Sequence, residues 1–411
     1  MTHELKPRRL LSPALGALAI AVFALILGPA AAAQAPPPKS LILAGWHGPV
    51  TPIPQFIQDH FQFLESRPFN GMVVYVSNPA FTINVTGGVM HDQPMSYENV
   101  SAVLDPIRNL PFSQLKDNFA YVFGNTPPDF FDDWTVPVQN FRNLARALKD
   151  AGLRGIFFDN EPYVTGWGWY PDGVAYPEIP LEEYEVQAAL RGREVMQAMV
   201  EEFPDIVVVT LHGPYISDLY SVQQMGFPDV FPYYALLGPF FTGFLQSAGS
   251  PGRSVDGGEL YWFREPEDFA DSYNLRKTGI ASAAANCPFI PASFRPSWPG
   301  LTTISFGLLD RPFMGEDLTP PILTTTLVNA LQRADQWVWL YTEDRTFLTP
   351  ESQGGATQAW VDAVRDAIDF VPAPPPPSSK EEKSSCGLLG AEALVFLVLI
   401  RWIRSRRLRL V

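Results

Sequence analysis

Internal disulfides are ruled out by count. The 411-residue chain has two cysteines, Cys287 and Cys386, and only the first lies between the two terminal segments that composition marks off. With no histidine near it in sequence, Cys287 reads as a small buried apolar side chain rather than a nucleophile. There is no Gly-x-Ser-x-Gly elbow, no Cys-x-x-Cys and no His-Glu-x-x-His, so those serine-hydrolase, redox and zinc-protease signatures are absent. Positive charge is scarce too: 29 Lys and Arg stand against 43 Asp and Glu. With the two ends set aside the counts fall to 19 and 39, a net charge of about −20. So acidic a surface excludes nucleic acid and anionic lipid as partners of the folded part. No repeat or low-complexity run interrupts residues 40–371.

What is present begins with the ends. Residues 1–35 have the three parts of a secretory signal: Lys6, Arg8 and Arg9, an apolar run through Leu27, then small residues. Cleavage after Ala33 or Ala35 fits the pattern, and Pro29 with the alanines that follow argues against a membrane anchor. At the other end, residues 372–383 form a Pro/Ser-rich linker, extended and semi-rigid. Residues 384–411 carry Ser384-Ser385-Cys386-Gly387, an apolar run and then Arg401, Arg404, Arg406, Arg407 and Arg409. The run is short for a span of about 20 residues, and the arginines mark a cytoplasmic end. The order of motif, apolar run and arginine cluster resembles Cys-containing bacterial C-terminal sorting signals, which are processed at the motif. That resemblance implies a sorting protease as partner; the alternative is a plain tail anchor. Either way the expectation is export, with the folded part at the cell surface or outside the cell and membrane contact through the C-terminal segment.

Between the ends, short buried-strand patterns alternate with amphipathic helical ones, the signature of a parallel sheet. The strands are predicted at 41–46, 71–77, 119–123, 155–158, 206–211, 254–262, 302–308 and 337–342, the sixth interrupted by Gly257-Gly258. Helical patterns follow at 54–66, 97–109, 138–151, 181–203, 240–247, 265–285, 321–334 and 357–370. Eight such pairs make an α/β fold of the (β/α)8 TIM-barrel type, a single domain over 40–371 with loop insertions. A doubly wound sheet would want a Gly-rich phosphate loop after the first strand, and Gly45-Trp-His-Gly48 is not one.

In a parallel barrel the C-terminal ends of the strands share one mouth, where chemistry sits. The predicted ends bring Trp46 and His47, then Asp159, Asn160 and Glu161, then His212 and Tyr215. Later strands add Asp256, Glu259, Tyr261 and Trp262, then Asp310 and Arg311, and finally Tyr341, Glu343 and Asp344. Period-two alternation puts Asp159 and Glu161 on one side of the fourth strand, a costly place for two carboxylates unless they serve a purpose. Carboxylates with Trp and Tyr are what glycoside hydrolysis needs: an acid, an opposed base or nucleophile, and flat faces for sugar rings. Such chemistry requires no cofactor and takes carbohydrate as its substrate.

The segment Gly152-Leu-Arg-Gly-Ile-Phe-Phe-Asp-Asn-Glu-Pro162 resembles the fourth-strand Asn-Glu-Pro signature of the large clan of retaining glycoside hydrolase barrels. The resemblance implies Glu161 as general acid/base and Asn160 as partner of the sugar 2-hydroxyl. It also implies a glutamate nucleophile at the end of strand seven, where this chain has Gly307-Leu-Leu-Asp310 instead. Two candidates remain, Glu259 and Glu343, with Glu259 favoured. Were 230–237 itself a strand, Glu259 would move to strand seven. Asp159, too near Glu161 to oppose it, is expected to raise the proton affinity of Glu161. Trp46, His47, His212, Tyr215, Trp262 and Tyr341 are expected to contact substrate, in a mouth lined also by Trp167 and Trp169. Two other functions fit less well: a carbohydrate-binding barrel without catalysis, and a metal-dependent hydrolase using His47, His212, Asp159 and Glu161.

Overall fold

The computed structural model describes residues 38–46, 50–78, 83–162, 166–217, 231–250, 252–282, 287, 289–312 and 317–370. The signal, linker and tail assigned to 1–35, 372–383 and 384–411 lie outside these residues, as does His47. No helix among the described residues is long and apolar enough to cross a membrane.

Eight parallel strands form the sheet: β1 (Ser40–Ala44), β2 (Gly71–Val74), β3 (Phe119–Phe123), β4 (Gly155–Asp159), β5 (Val207–Thr210), β6 (Ser254–Asp256), β7 and β8 (Trp337–Tyr341). β7 comes in two pieces, Thr303–Ile304 and Phe306–Leu309, separated by Ser305. The first piece pairs with β6 and the second with β8. β8 in turn pairs with β1 in the register Ser40↔Trp337 through Ala44↔Tyr341. The strand order that begins and ends on the two pieces of β7 is therefore a closed barrel.

Helices alternate with the strands: α1 (Pro54–Asp59) and α2 (Phe61–Glu65), α3 (Tyr97–Leu104), α4 (Thr135–Asp150) and α5 (Leu181–Glu202). They continue with α6 (Leu237–Ala248), α7 (Pro266–Asn274), α8 (Pro320–Arg333) and α9 (Gln358–Asp369). This is the α/β barrel that the alternation of patterns predicts. The alternative of a further strand ahead of Glu259 is not met over residues 231–237, since Phe231–Tyr234 is helical and α6 starts at Leu237. Glu259 consequently stays with β6.

The chain alternation sorts the core into two layers. Ile42 and Ala44 of β1, Trp46 just beyond it, Phe119 and Tyr121 of β3, Phe157 of β4 and Trp337 and Trp339 of β8 fill the barrel interior. Their neighbours Leu41, Leu43, Ile156, Phe158 and Val338 face outward into the layer shared with the helices. On α4, Phe141, Leu144, Ala145 and Leu148 make the i, i+3, i+4, i+7 stripe that meets this outer layer. The interior is tightly filled: a Cβ on Gly307 would lie 2.0 Å from the Trp339 ring. Only glycine fits there.

Candidate active site

β4 ends by turning its last residues to different uses. Phe157 packs inside the barrel, so Asp159 and then Glu161 continue the inward face at the C-terminal mouth. Asp159 is buried and accepts the Tyr121 hydroxyl at 2.6 Å and the Glu161 N–H at 3.1 Å. Its carboxylate thus fixes the backbone that carries Glu161.

Asn160, expected at a sugar 2-hydroxyl, has its side chain in the barrel wall. It is 0% exposed, its amide donates to the His212 carbonyl at 2.7 Å and its oxygen accepts the His212 N–H at 3.0 Å. A side-chain amide copies a peptide group, so Asn160 extends the β4–β5 ladder one rung beyond the strand ends. Both polar atoms of its side chain are thus engaged in the wall.

That rung fixes His212 just past β5. Its Nδ1 lies 3.2 Å from the Tyr215 hydroxyl, and its Nε2 faces the mouth between two glutamates. Nε2 lies 3.7 Å from Glu161 Oε1 and 3.8 Å from Glu259 Oε2. One atom from each of the three side chains falls within 4.8 Å of the other two. Glu161 and Glu259 are 6% and 8% exposed, so both carboxyls are nearly withdrawn from water.

Glu259 is aimed by the break that follows β6. Gly257 donates to the Thr210 carbonyl and Glu259 to the Leu211 carbonyl, while Glu259 also bridges Gly307 of β7. Between them Gly258 takes φ +57, a left-handed conformation that L side chains rarely adopt. Behind it sits Arg276, buried in the π-helical turn Leu275–Gly279 that continues α7. Its guanidinium meets Asp256 Oδ1 at 2.8 Å and the Ser305 carbonyl at 2.9 Å. Arg276 therefore ties the end of β6 to the gap in β7, the two strands between which Glu259 emerges.

Burial controls the charges. Desolvation, and next the Glu161 carboxylate, push Glu259 well above the usual carboxyl range. Hydrogen bonding from the Tyr261 hydroxyl pulls in the opposite direction but less strongly. Asp159 is raised to about 6, chiefly by burial, with the Tyr121 hydroxyl opposing. Desolvation lowers His212 despite the pull of Glu259 and Asp159, so its imidazole is neutral near pH 7. Two carboxyls this close resist ionising together.

Aromatic rings wall the mouth. Trp46 stacks on Tyr121 with centroids 4.5 Å apart and leans on Tyr341 at 4.9 Å, and Tyr341 stacks on Tyr261 at 6.1 Å. Trp262 packs against Phe263 at 5.7 Å. Trp167 is a correction: it is buried among Phe158, Phe130 and Phe240 in the outer layer and does not line the mouth. Trp169 meets Tyr233, which is 37% exposed, edge to face at 4.8 Å. Glu343 is not brought to the Glu161–His212–Glu259 group; its Oε2 accepts from Arg311 Nε at 2.6 Å at a half-exposed position. Asp310 is likewise structural, accepting the N–H groups of Glu343, Asp344 and Arg345.

Sequence reasoning missed Tyr121 and Arg276. Tyr121 had a signal, since a tyrosine at an inward strand position needs a buried partner for its hydroxyl. Arg276 had none, because one basic residue in a helical pattern reads as solvated surface.

No protein-family model matches the chain, and no curated protein matches it. Among solved structures, one match is a catalytic-site mutant of active domain 2 of a thermostable chitinase from Pyrococcus furiosus complexed with chito-oligosaccharides. It is 9% identical, with a TM-score of 0.42, over 82% of this chain and 96% of that one. A GH5-4 broad specificity endoglucanase from an uncultured bacterium is 12% identical, with a TM-score of 0.45, over 79% and 86%. A Thermobacillus composti GH10 xylanase is 10% identical, with a TM-score of 0.39, over 80% and 96%. These neighbours are glycoside hydrolases, and the likeness is one of fold. The barrel itself stands on the strand order and register of this chain.

Proposed function

We propose that this protein is an exported glycoside hydrolase that cleaves oligo- or polysaccharide with retention of configuration, using Glu161 and Glu259. The observation that carries the reading is the approach of their carboxylate oxygens to within 4.8 Å across the barrel mouth. Inverting enzymes hold their carboxyl groups roughly 6.5–9.5 Å apart to admit a water, and retaining ones about 5–5.5 Å. The walls of Trp46, Tyr341 and Tyr261 supply apolar faces for sugar rings.

In this reading Glu161 protonates the glycosidic oxygen while Glu259 attacks the anomeric carbon. Water then releases the glycosyl group from Glu259 with Glu161 acting as base. The Asp159 carboxylate holds the Glu161 backbone in place, and the Tyr261 hydroxyl favours an ionised Glu259. Burial of Glu259 works against its ionisation, so the free protein must lose that proton before it is competent. Export to the cell surface or beyond rests on the charged, apolar and small-residue order of residues 1–35.

Purified protein assayed on a panel of glycans tests this. Glu161→Gln and Glu259→Gln keep shape and remove one carboxyl each, and each is expected to lower kcat by about 10²–10⁴-fold. With an activated aryl glycoside, azide should rescue Glu259→Ala with inverted product and Glu161→Ala with retained product. Unchanged turnover in both variants would end the hydrolase reading, and glycan binding without cleavage by the unaltered protein would replace it with a carbohydrate-binding barrel.

A further inference from the structure

We infer that Glu161, His212 and Glu259 also form a binding site for one divalent transition-metal ion of the zinc type, and that this ion inhibits glycoside hydrolysis by occupying both carboxyls. The inference builds on the proposed hydrolase but stands on separate geometry. The metal set weighed from sequence included His47 and Asp159. Asp159 is committed to Tyr121 and the Glu161 N–H, and Glu259 takes its place beside His212.

Three observations carry it. The first is spacing: the potential ligand atoms lie within 4.8 Å of one another, with His212 Nε2 at 3.7 and 3.8 Å from the two carboxylates. Ligands at about 2.0–2.2 Å from a tetrahedral zinc stand roughly 3.3–3.6 Å apart, so small rotations of the two glutamate side chains suffice. The second is Glu259 Oε2, which is buried, points at His212 and has no hydrogen-bond partner among the described residues. A buried acceptor in that state gains a strong partner from a cation. The third is orientation. The Asn160 rung holds the His212 backbone, and the Tyr215 hydroxyl holds Nδ1, leaving Nε2 directed into the mouth. Outer partners of this kind set the ring of a ligating histidine.

The neighbouring charges leave room for a cation. Arg276, the buried arginine nearest this wall, is spent on Asp256 and the Ser305 carbonyl. One imidazole and two carboxylates suit zinc or another late first-row ion better than magnesium or calcium, which prefer all-oxygen shells. Bound there, the ion removes the carboxylate that would attack the anomeric carbon and the acid that would protonate the leaving oxygen.

Calorimetric titration of the chelator-stripped full chain with Zn²⁺ alone, in the absence of sugar, tests the site. One ion per chain is expected, with Glu259→Gln and His212→Gln each weakening binding at least about tenfold, and Tyr215→Phe by about tenfold. Circular dichroism and melting curves check that the variants fold. Should His212→Gln fail to fold, Glu161→Gln and Glu259→Gln carry the test because they preserve side-chain volume. On a cleaved glycan, Zn²⁺ should inhibit competitively while Mg²⁺ and Ca²⁺ do not. No binding, or binding equal in all folded variants, overturns the inference. Because the titration needs no substrate, zinc captured by these residues in a protein that cleaves no glycan leaves the site standing and removes only the hydrolase. Turnover that depends on added zinc overturns the inhibitory role.

Discussion

Glu259 is the residue whose ionisation state governs the proposed chemistry. A nucleophile works as its anion, and burial has raised the proton affinity of this one well above the ordinary carboxyl range. The sign follows: kcat/KM is retained above the raised pKa and lost as pH falls through it. The acid limb of the profile is therefore expected at a higher pH than the value near 4.3 of a free glutamate. Tyr261 lowers that pKa through its hydroxyl, so Tyr261→Phe should move the limb further upward, measured as the pH dependence of kcat/KM. A limb that stays in place would show that Tyr261 does not act on the ionisation. Asn160 teaches a different lesson at this scale. The sequence motif marks the residue but not the direction of its amide, which depends on the spatial register of β4 against His212. Its pairing is a tertiary fact, and no local pattern encodes it.

Among elements, the junction of β6, β7 and α7 was the least legible from sequence. The eight strands were readable because strands buried on both faces are short apolar runs bounded by polar residues. The sixth strand, predicted over 254–262 with an interruption at Gly257-Gly258, instead ends at Asp256. What no pattern revealed was that a buried arginine from the π-helical turn would bridge β6 and the gap in β7. Both partners of the Arg276–Asp256 pair are almost fully withdrawn from water. Removing one partner leaves a buried charge uncompensated, at a cost of about 3–5 kcal/mol. Arg276→Leu is accordingly expected to lower unfolding free energy by that amount in denaturant titration. The double change Arg276→Leu with Asp256→Asn should recover part of it, because the stranded charge is gone. A single variant as stable as the unaltered protein would mean that solvent reaches Asp256 after all.

For the whole molecule, the barrel mouth collects residues from strands far apart in sequence into one chemical group. Tyr121 of β3, Asp159 of β4, His212 after β5, Glu259 after β6 and Tyr341 of β8 meet there. Asp159, His212, Glu259 and Tyr341 could each be nominated as a strand-end residue and mid-strand Tyr121 could not, nor could which of the glutamates would face which. Glu259 and Glu343 sit at comparable strand ends, and the choice turns on the Gly257-Gly258 break and on Arg311 engaging Glu343. The closing pair β8–β1 has a consequence for how the chain acquires its structure. Ser40 pairs with Trp337, so the first strand to emerge from synthesis keeps one hydrogen-bonding edge open until the last strand arrives. Contacts of such sequence separation slow folding, and an open edge in that interval can recruit other chains. A chain cut before residue 337 would hold both β1 and β7 permanently in this state. It is expected to form soluble aggregates by light scattering under conditions where the full barrel stays dispersed, and a dispersed fragment would refute the dependence.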